Sequence, residues 1–550
     1  MKGNETAGEG PAVGKGSAGK LDAVYAALDD LTQYALAYLG LDRRDLDWAR
    51  NAVLALFSLD SYHAVSSSGV GDGSGAAATH RGSSQGRSRV GDGEDADADA
   101  NADQGACHGD GAANPDAVLK PFDEALLAAR LCDTDDIPGI EDTVMGLLSQ
   151  RPSVLQDRFA AIEHRDGGMQ AMRWFYDYCS DNTYVKRAIL AKNPRFESHG
   201  LIVTINLAKP EFKNMKKAAS GNATAGGYPK CTICHENEGF AGRDKRTLRT
   251  VPLTLGGQEF FWQFSPYGYF KQHGICVNAE HTAMHVDCDT FVNLLDFVDV
   301  FPGYFIGCNA ALPRIGGSVL AHDHYQGGGE LMPMHKAKPW ARLGLAGVDD
   351  AVIEILDWPG TAVRVVSRSR QRIVEISDRI RLGWIRYTNP DLNIVAVGED
   401  GRRSALSPSA VITERGYEMN LILRNNGVNE QFPEGIFHAH PEFWAIKQEP
   451  IGLIEAQGLF VLPGRLVGQL AQIEDALARG SSLPEAERAF KPQWNELCAS
   501  LDGNRDRGAI KAALRDELGS VCERILGNTA VFKRKEQTRG FLESLGFEVL

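Results

Sequence analysis

Ser318-Val-Leu-Ala-His-Asp-His-Tyr-Gln-Gly-Gly328 holds two histidines at alternate positions, His322 and His324, then Gln326, then a glycine run that continues to Gly329. Upstream, Tyr304-Phe-Ile-Gly-Cys-Asn309 and Ser318-Val-Leu320 are apolar and β-prone. A glycine-rich turn, Arg314-Ile-Gly-Gly317, separates them, so the pair reads as two short strands. An extended chain puts residues i and i+2 on the same side. His322, His324 and Gln326 therefore line one face, with Asp323 and Tyr325 on the other. Three nitrogen-bearing side chains in a row make a poor core and suit a site that needs an imidazole beside an amide donor. The plainer reading is a polar strand end with two satisfied histidines, and the flanking glycines weigh against it.

The composition narrows the function classes. The chain has 550 residues and a formal net charge of -14. It has no global attraction for nucleic acid or acidic membranes, so any polyanion site must be local. Residues 1–20 lack the apolar stretch of a secretory signal, and no apolar run reaches the roughly 18 residues of a membrane span. Ten scattered cysteines without a signal peptide imply reduced thiols and a cytoplasmic protein.

Along the chain the texture changes several times. Residues 1–20 are small and polar and are expected to be disordered. Residues 21–190 form a helical N-terminal region, shown by the stripe Leu28, Leu31, Tyr34, Ala35, Tyr38 and Leu39 and by Met169–Leu190. A flexible insertion at 66–114 interrupts it, rich in Gly, Ser, Asp and Ala, with too little apolar surface to offset ordering entropy. Asn193-Pro194 marks the boundary. Strands are expected at Gly200–Asn206, Glu259–Phe264, Gly274–Asn278 and Tyr304–Asn309, and a helix at Asp289–Val298 capped by Asp289. A second β-rich tract covers Thr361–Ser367, Arg372–Ile376, Ala410–Thr413, Asn420–Arg424 and Gly435–His440, and helices dominate beyond Pro463. The boundaries are 191–345 for a first catalytic half, 346–462 for a second half and 463–550 for a helical C-terminal region. The class is α+β with a mostly antiparallel sheet core. Ile436-Phe-His-Ala-His-Pro441 repeats the apolar-His-x-His pattern of Ala321–Tyr325, which points to a duplicated half-domain. Cys276, Cys288 and Cys308 read as core residues, as do Phe260, Phe261, Trp262 and Phe264. His273 and His285 read as ordinary strand-edge or helix-start residues.

Cys231-Thr-Ile-Cys234 is a CxxC. Two thiolates at this spacing bind one Zn²⁺, and two nitrogen ligands close a tetrahedron. A redox pair and a buried cysteine pair are the competing readings. His281, in Glu280-His-Thr-Ala-Met-His285, and one of His322 and His324 are the candidate nitrogen ligands.

A CxxC, then a histidine after a strand, then a Gly/Ser turn into His-x-His-x-Gln resembles the galactose-1-phosphate uridylyltransferases of the histidine-triad superfamily. The family's usual His-Pro-His-Gly-Gln stands here as His322-Asp-His-Tyr-Gln326. The helical N-terminal part, Asn193-Pro-Arg-Phe-Glu-Ser-His-Gly200 and Glu449-Pro-Ile-Gly-Leu-Ile-Glu455 look like the second bacterial class. The resemblance spans nearly the whole chain from about Leu21, apart from the insertion. It implies a histidine-triad-like sheet with His324 as nucleophile and Gln326 as a donor to the transferred phosphoryl group. Cys231, Cys234, His281 and His322 match a structural zinc site. Asn309 and Ser318, with the turn glycines Gly316 and Gly317, fall near positions that contact the nucleotide phosphates.

His438 and His440 match a second HxH that serves another metal in the usual form, but its acidic partner is missing at the expected distance. An ionised Asp323 beside the pair would raise the basicity of an imidazole. The implied reaction moves UMP from UDP-glucose to galactose 1-phosphate by a ping-pong route through a uridylyl-histidine, in galactose metabolism. The superfamily's habit of building sites at subunit edges is compatible with a homodimer. Two rivals stand beside this. Another histidine-triad phosphorylase or hydrolase would lack Gln326 and the cysteine pair. A zinc-stabilised binding module for nucleic acid or protein is opposed, for nucleic acid, by the acidic charge.

Overall fold

The computed structural model describes residues 15–64, 114–207, 227–316, 319–399 and 401–550. All but Asn114 of the expected insertion lies outside the described residues, as do Gly317 and Ser318. The chain divides into two compact units, Met1–Ser149 and Gln150–Leu550.

The first unit is helical: Lys15–Tyr34, Leu46–Leu56, Asp116–Ala129 and Ile137–Leu148. The expected stripe is its core, with Leu28, Leu31, Ala35 and Leu39 buried against Val53, Phe122, Leu126 and Met145. Tyr38 alone of that stripe stays exposed. The first helix starts at Lys15, before the first large apolar residue.

In the second unit, helices Pro152–Asp166 and Gly168–Asp181 lead to a small sheet. Strands β1 (Arg195–Ser198) and β2 (Leu201–Asn206) pair antiparallel, and β15 (Leu459–Pro463) joins β2 in parallel. Among the described residues the main sheet has eleven strands. Its first five are β3 (Val251–Leu255), β4 (Gln258–Phe264), β5 (Gly274–Asn278), β6 (Phe305–Gly307) and β7 (His324–Gly328). The next five are β8 (Pro339–Leu345), β9 (Val348–Leu356), β10 (Ala362–Ser367), β13 (Ser404–Thr413) and β14 (Gly416–Asn425); the short hairpin of β11 (Val397–Gly398) and β12 (Gly401–Arg402) lies between them in sequence. Strand β16 (Phe547–Val549) closes the edge on β8.

The plan of the first five strands repeats in the second. A meander, β3-β4-β5, is followed by the helix Cys288–Val300, then by a strand pair laid so that the order is β3-β4-β5-β7-β6. The meander β8-β9-β10, the helix Arg370–Trp384 and the pair β13, β14 give β8-β9-β10-β14-β13 in the same way. The two groups meet where β6 runs antiparallel to β13, with Gly307 opposite Ser409 and Ile306 opposite Ala410. A Cβ on Gly307 would stand 2.5 Å from the Pro408 carbonyl oxygen and 2.6 Å from Ser409 Cβ, so the join needs glycine. The duplication expected from two HxH motifs is thus present in the strand order.

The two sheet faces differ by the strand period of two. One face is apolar: Ile306, Tyr325, Ile353, Val363, Ala410 and Leu421 share one core with Phe291, Leu294 and Ile376 of the two helices. On the other face one cross-strand row reads Gln326, Gly307, Ser409, Asn420, Arg364, Glu354. In the second half this row holds the buried pair Arg364 and Glu354 at 3.4 Å, which the exposed Arg415 joins from the hairpin turn at 2.8 Å from Glu354.

Five local expectations are corrected. Arg372–Ile376 is helix, because Ile373, Ile376, Ile380 and Trp384 form one buried stripe that a five-residue window hides. Gly435–His440 is not a strand but a turn segment, with His440 folded back on Ile436. Val319 and Leu320 also lie outside any strand, and the strand begins at His324. The cap of Cys288–Val300 is Asp287, which accepts from the Thr290 N–H, and the first-turn Cys288 is exposed. Among the described residues, no helix is long and apolar enough to cross a membrane.

Candidate active site and metal centre

The CxxC loop, the segment after β5 and the approach to β7 converge on one point. Cys231 Sγ and Cys234 Sγ are 3.3 Å apart, Cys231 Sγ lies 3.3 Å from His322 Nδ1, and Cys234 Sγ lies 3.1 Å from His281 Nδ1. All four donor atoms fall within 4.8 Å of one another, and this is the one such cluster among the described residues. Two soft sulfurs and two imidazole nitrogens suit a tetrahedral zinc ion. Asn237 steadies the loop by donating to the carbonyls of Cys231 and Cys234, both at 2.8 Å. Burial, with the neighbouring Cys231 thiol, pushes the Cys234 thiol up to about 12; a bound metal would hold the thiolate instead.

His322 is oriented for this cluster. Its Nε2–H donates to the Asn278 carbonyl at 2.8 Å, which leaves the Nδ1 lone pair facing the sulfurs. His324 is the mirror case. Its Nδ1–H donates to the His322 carbonyl at 2.8 Å, so the Nε2 lone pair is free for bonding elsewhere. Burial holds the His324 imidazole down to about 4, so it is neutral near pH 7. Gln326 follows on the same face of β7, partly exposed, while Tyr325 is buried on the opposite face and its hydroxyl accepts from Asn293 at 2.9 Å.

Asp323 is buried on the face away from His324. Burial raises its carboxyl to about 6, and the groups it meets are His285 and Asn278. It therefore does not act on the His324 ring as the sequence had suggested. An open cleft of about 350 Å³ borders the metal cluster, with Lys230, Glu236, Glu280, His281, Thr282 and His322 in its walls. His324 is not among those walls and is 5% exposed.

Asn309 is buried, and its Oδ1 accepts from the Leu453 N–H at 2.7 Å. Gly316, at φ +107°, packs so closely on Gly452 that a Cβ would stand 2.6 Å from the Gly452 Cα. The turn after β6 is thus seated on the segment 449–455, which Lys447 braces from beneath. Among the described residues His438 and His440 form no ligand cluster with an acid, although Glu442 lies 3.9 Å from His440 Nδ1. His438 Nδ1 bonds the Ala439 carbonyl, His440 Nε2 bonds the Ile436 carbonyl, and the His440 ring stacks on Phe432 at 4.0 Å. His199 lies elsewhere, between Asp516 and Glu523. His335 is buried at 3.3 Å from Ser409 Oγ, in the row that carries Gln326. His273, read as ordinary, is buried, and the register of β5 against β7 puts it diagonally across from Gln326 on the same face. The signal that could have found it was the period of two along β5, which puts position 273 on the face of Ile275.

The model of the galactose-1-phosphate uridyl transferase N-terminal domain matches residues 126–283. A curated galactose-1-phosphate uridylyltransferase from Bifidobacterium longum subsp. longum is 63% identical over 533 residues, 96% of this chain and 99% of that protein. One from Latilactobacillus sakei subsp. sakei is 36% identical over 71% of this chain and 80% of its own, and one from Halalkalibacterium halodurans is 35% identical over 72% and 80%. Among solved structures, yeast Ap4A phosphorylase covers 58% of this chain and 89% of its own at a TM-score of 0.30 and 11% identity, a likeness too slight to bear on function.

Proposed function

The chain belongs to the galactose-1-phosphate uridylyltransferase family, and from that premise we propose that it moves UMP from UDP-glucose to galactose 1-phosphate through His324. The observation that carries the residue assignment is the pair of opposed histidine tautomers. His322 turns Nδ1 to the cysteines, and His324 turns Nδ1 away and keeps Nε2 for phosphorus.

In this reading the neutral His324 Nε2 attacks the α-phosphorus of UDP-glucose, and glucose 1-phosphate departs. The resulting N–P bond is then broken by a phosphate oxygen of galactose 1-phosphate, giving UDP-galactose and restoring the imidazole. A sugar phosphate is a weakly basic leaving group and needs little proton donation. The larger demand is charge on the phosphoryl oxygens, which the Gln326 amide meets. The His322 carbonyl disperses the positive charge that His324 acquires during attack. Asn309 and Gly316 shape the proposed phosphate-binding turn; Gly317 and Ser318 are assigned to phosphate binding from the sequence alone. Cys231, Cys234, His281 and His322 would hold zinc, whose contribution when bound is to fix the conformation of the loop and strand end. UDP-glucose and galactose 1-phosphate are the proposed partners, and the cytoplasm, where the cysteines stay reduced, is the proposed compartment.

The test is intact-protein mass spectrometry after mixing with UDP-glucose. A UMP adduct on the parent protein, discharged by galactose 1-phosphate and absent from His324→Ala, is the expected result. An adduct of the same size on His324→Ala would overturn the role of His324.

A further inference from the structure

We propose that His273 is a positioning residue for the transfer step: it holds the carbonyl end of the Gln326 amide and so turns the amide N–H groups toward the phosphoryl group. This rests on the roles given above to His324 and Gln326.

The sheet register places the two side chains together. Gly274 is opposite Gly327 and Ile275 opposite Gln326, so position 273 continues the same ladder on the face that carries Gln326, as a diagonal neighbour. The Gly329 N–H donating to the Lys271 carbonyl at 3.0 Å keeps the two segments joined beyond the strand ends. The His273 ring is fully enclosed, with the Tyr269 ring stacked at 4.7 Å and the Phe270 ring at 4.6 Å. The adjacent Gln272 is anchored in turn by the Tyr304 hydroxyl, 3.0 Å from its Oε1. The ring cannot swing away without unpacking these aromatics.

Its protonation follows from its contacts. The Tyr269 N–H points at Nδ1 from 3.5 Å, which makes Nδ1 the acceptor and puts the ring proton on Nε2. Nε2 is buried and has no hydrogen-bond partner in the structure; Gln326, partly exposed and its diagonal neighbour on the same face, is the side chain whose amide oxygen can satisfy that N–H by a small rotation. Burial keeps His273 neutral, its pKa lowered to about 3.

A glutamine amide has two ends of opposite polarity, and the two flips are nearly equal in shape. With Oε1 facing His273, the NH₂ faces outward, where phosphoryl oxygens gain charge. The other flip would present a carbonyl oxygen to those same oxygens and lose the donor. One neutral imidazole thus decides between a stabilising and a repelling Gln326.

The test is a double-mutant cycle on the full chain, read by single-turnover formation of the UMP adduct from UDP-glucose. His273→Phe keeps the ring volume and removes the donor; His273→Gln restores an N–H near the Nε2 position. The expected result is about a tenfold lower rate for His273→Phe with little change in apparent UDP-glucose affinity, and recovery to within about threefold for His273→Gln. In a Gln326→Ala background, His273→Phe should lower the rate less than about twofold. Losses of the same size in both backgrounds would overturn the inference, because a residue that only packs acts without Gln326. If melting curves show that His273→Phe does not fold, His273→Asn, whose N–H lies on the Nδ1 side, replaces it in the same cycle. A parent protein that forms no adduct refutes the parent reading; additive losses in a protein that does form it refute this one alone.

Discussion

The His324 ring is tied to the backbone of His322 by one hydrogen bond, Nδ1–H to carbonyl oxygen at 2.8 Å, while the His322 side chain belongs to the cysteine cluster. The orientation of the proposed nucleophile is thus inherited from a residue that a bound metal would fix. If the cluster holds zinc, the parent protein should carry about one metal per chain by mass spectrometry, and Cys231→Ala should fail to bind it and lower turnover by about 10- to 100-fold. The exposed Lys230→Ala, one residue away, should keep its metal. Full turnover in metal-free Cys231→Ala would break the link between the two histidines.

The join between the two five-strand groups predicts a stability defect. In Gly307→Ala the new methyl group meets backbone and Ser409 at 2.5–2.6 Å, where neither can yield. A loss of about 1–3 kcal/mol is expected from urea unfolding. A variant as stable as the parent would show that β6 and β13 can move apart at no cost.

Lys447 is buried, with its ammonium 2.9 Å from Glu455 and 3.0 Å from Glu449 and from the Val461 carbonyl. The two carboxylates hold its pKa above the ordinary lysine value despite burial. Lys447→Met should cost about 3–5 kcal/mol, since it leaves two carboxylates facing each other without their cation. Lys447→Met/Glu455→Gln should recover part of the loss, and denaturant midpoints of the set check both.

The helical unit should carry a pH dependence of its own. Burial raises the Asp123 carboxyl to about 7, and the Glu141 carboxylate beside it adds to the rise. A folded-state pKa above the unfolded value means that the native state binds the extra proton. Stability therefore declines as pH rises from about 4 to about 7 and stays low above that. Asp123→Asn should raise the melting temperature at pH 8 and leave it nearly unchanged at pH 4. A gain of the same size at both values would remove the carboxyl pair as the cause.

Much of the fold was legible where short-range pattern and long-range packing agree. Glu259–Phe264 and Gly274–Asn278 are short β-prone apolar runs, and they lie in strands. Arg372–Ile376 misled because a β-branched pentad reads as strand until Trp384, twelve residues on, completes a helical stripe. Gly435–His440 misled because its HxH mimics a strand end, whereas His438 Nδ1 and His440 Nε2 bond carbonyls one and four residues away.

What the sequence alone determined is local. The CxxC loop brings two thiols together across three residues, and HxHxQ sets His324 and Gln326 on one face, because both depend only on the geometry of adjacent peptide units. Tertiary structure alone decided the rest: that Cys231 meets His322 across 91 positions, that Asn309 meets Leu453 across 144, and that His273 stands beside Gln326. Those meetings follow from which strands pair and in what register. Pairing is settled by the burial of whole faces, a property of the assembled sheet that no single segment carries.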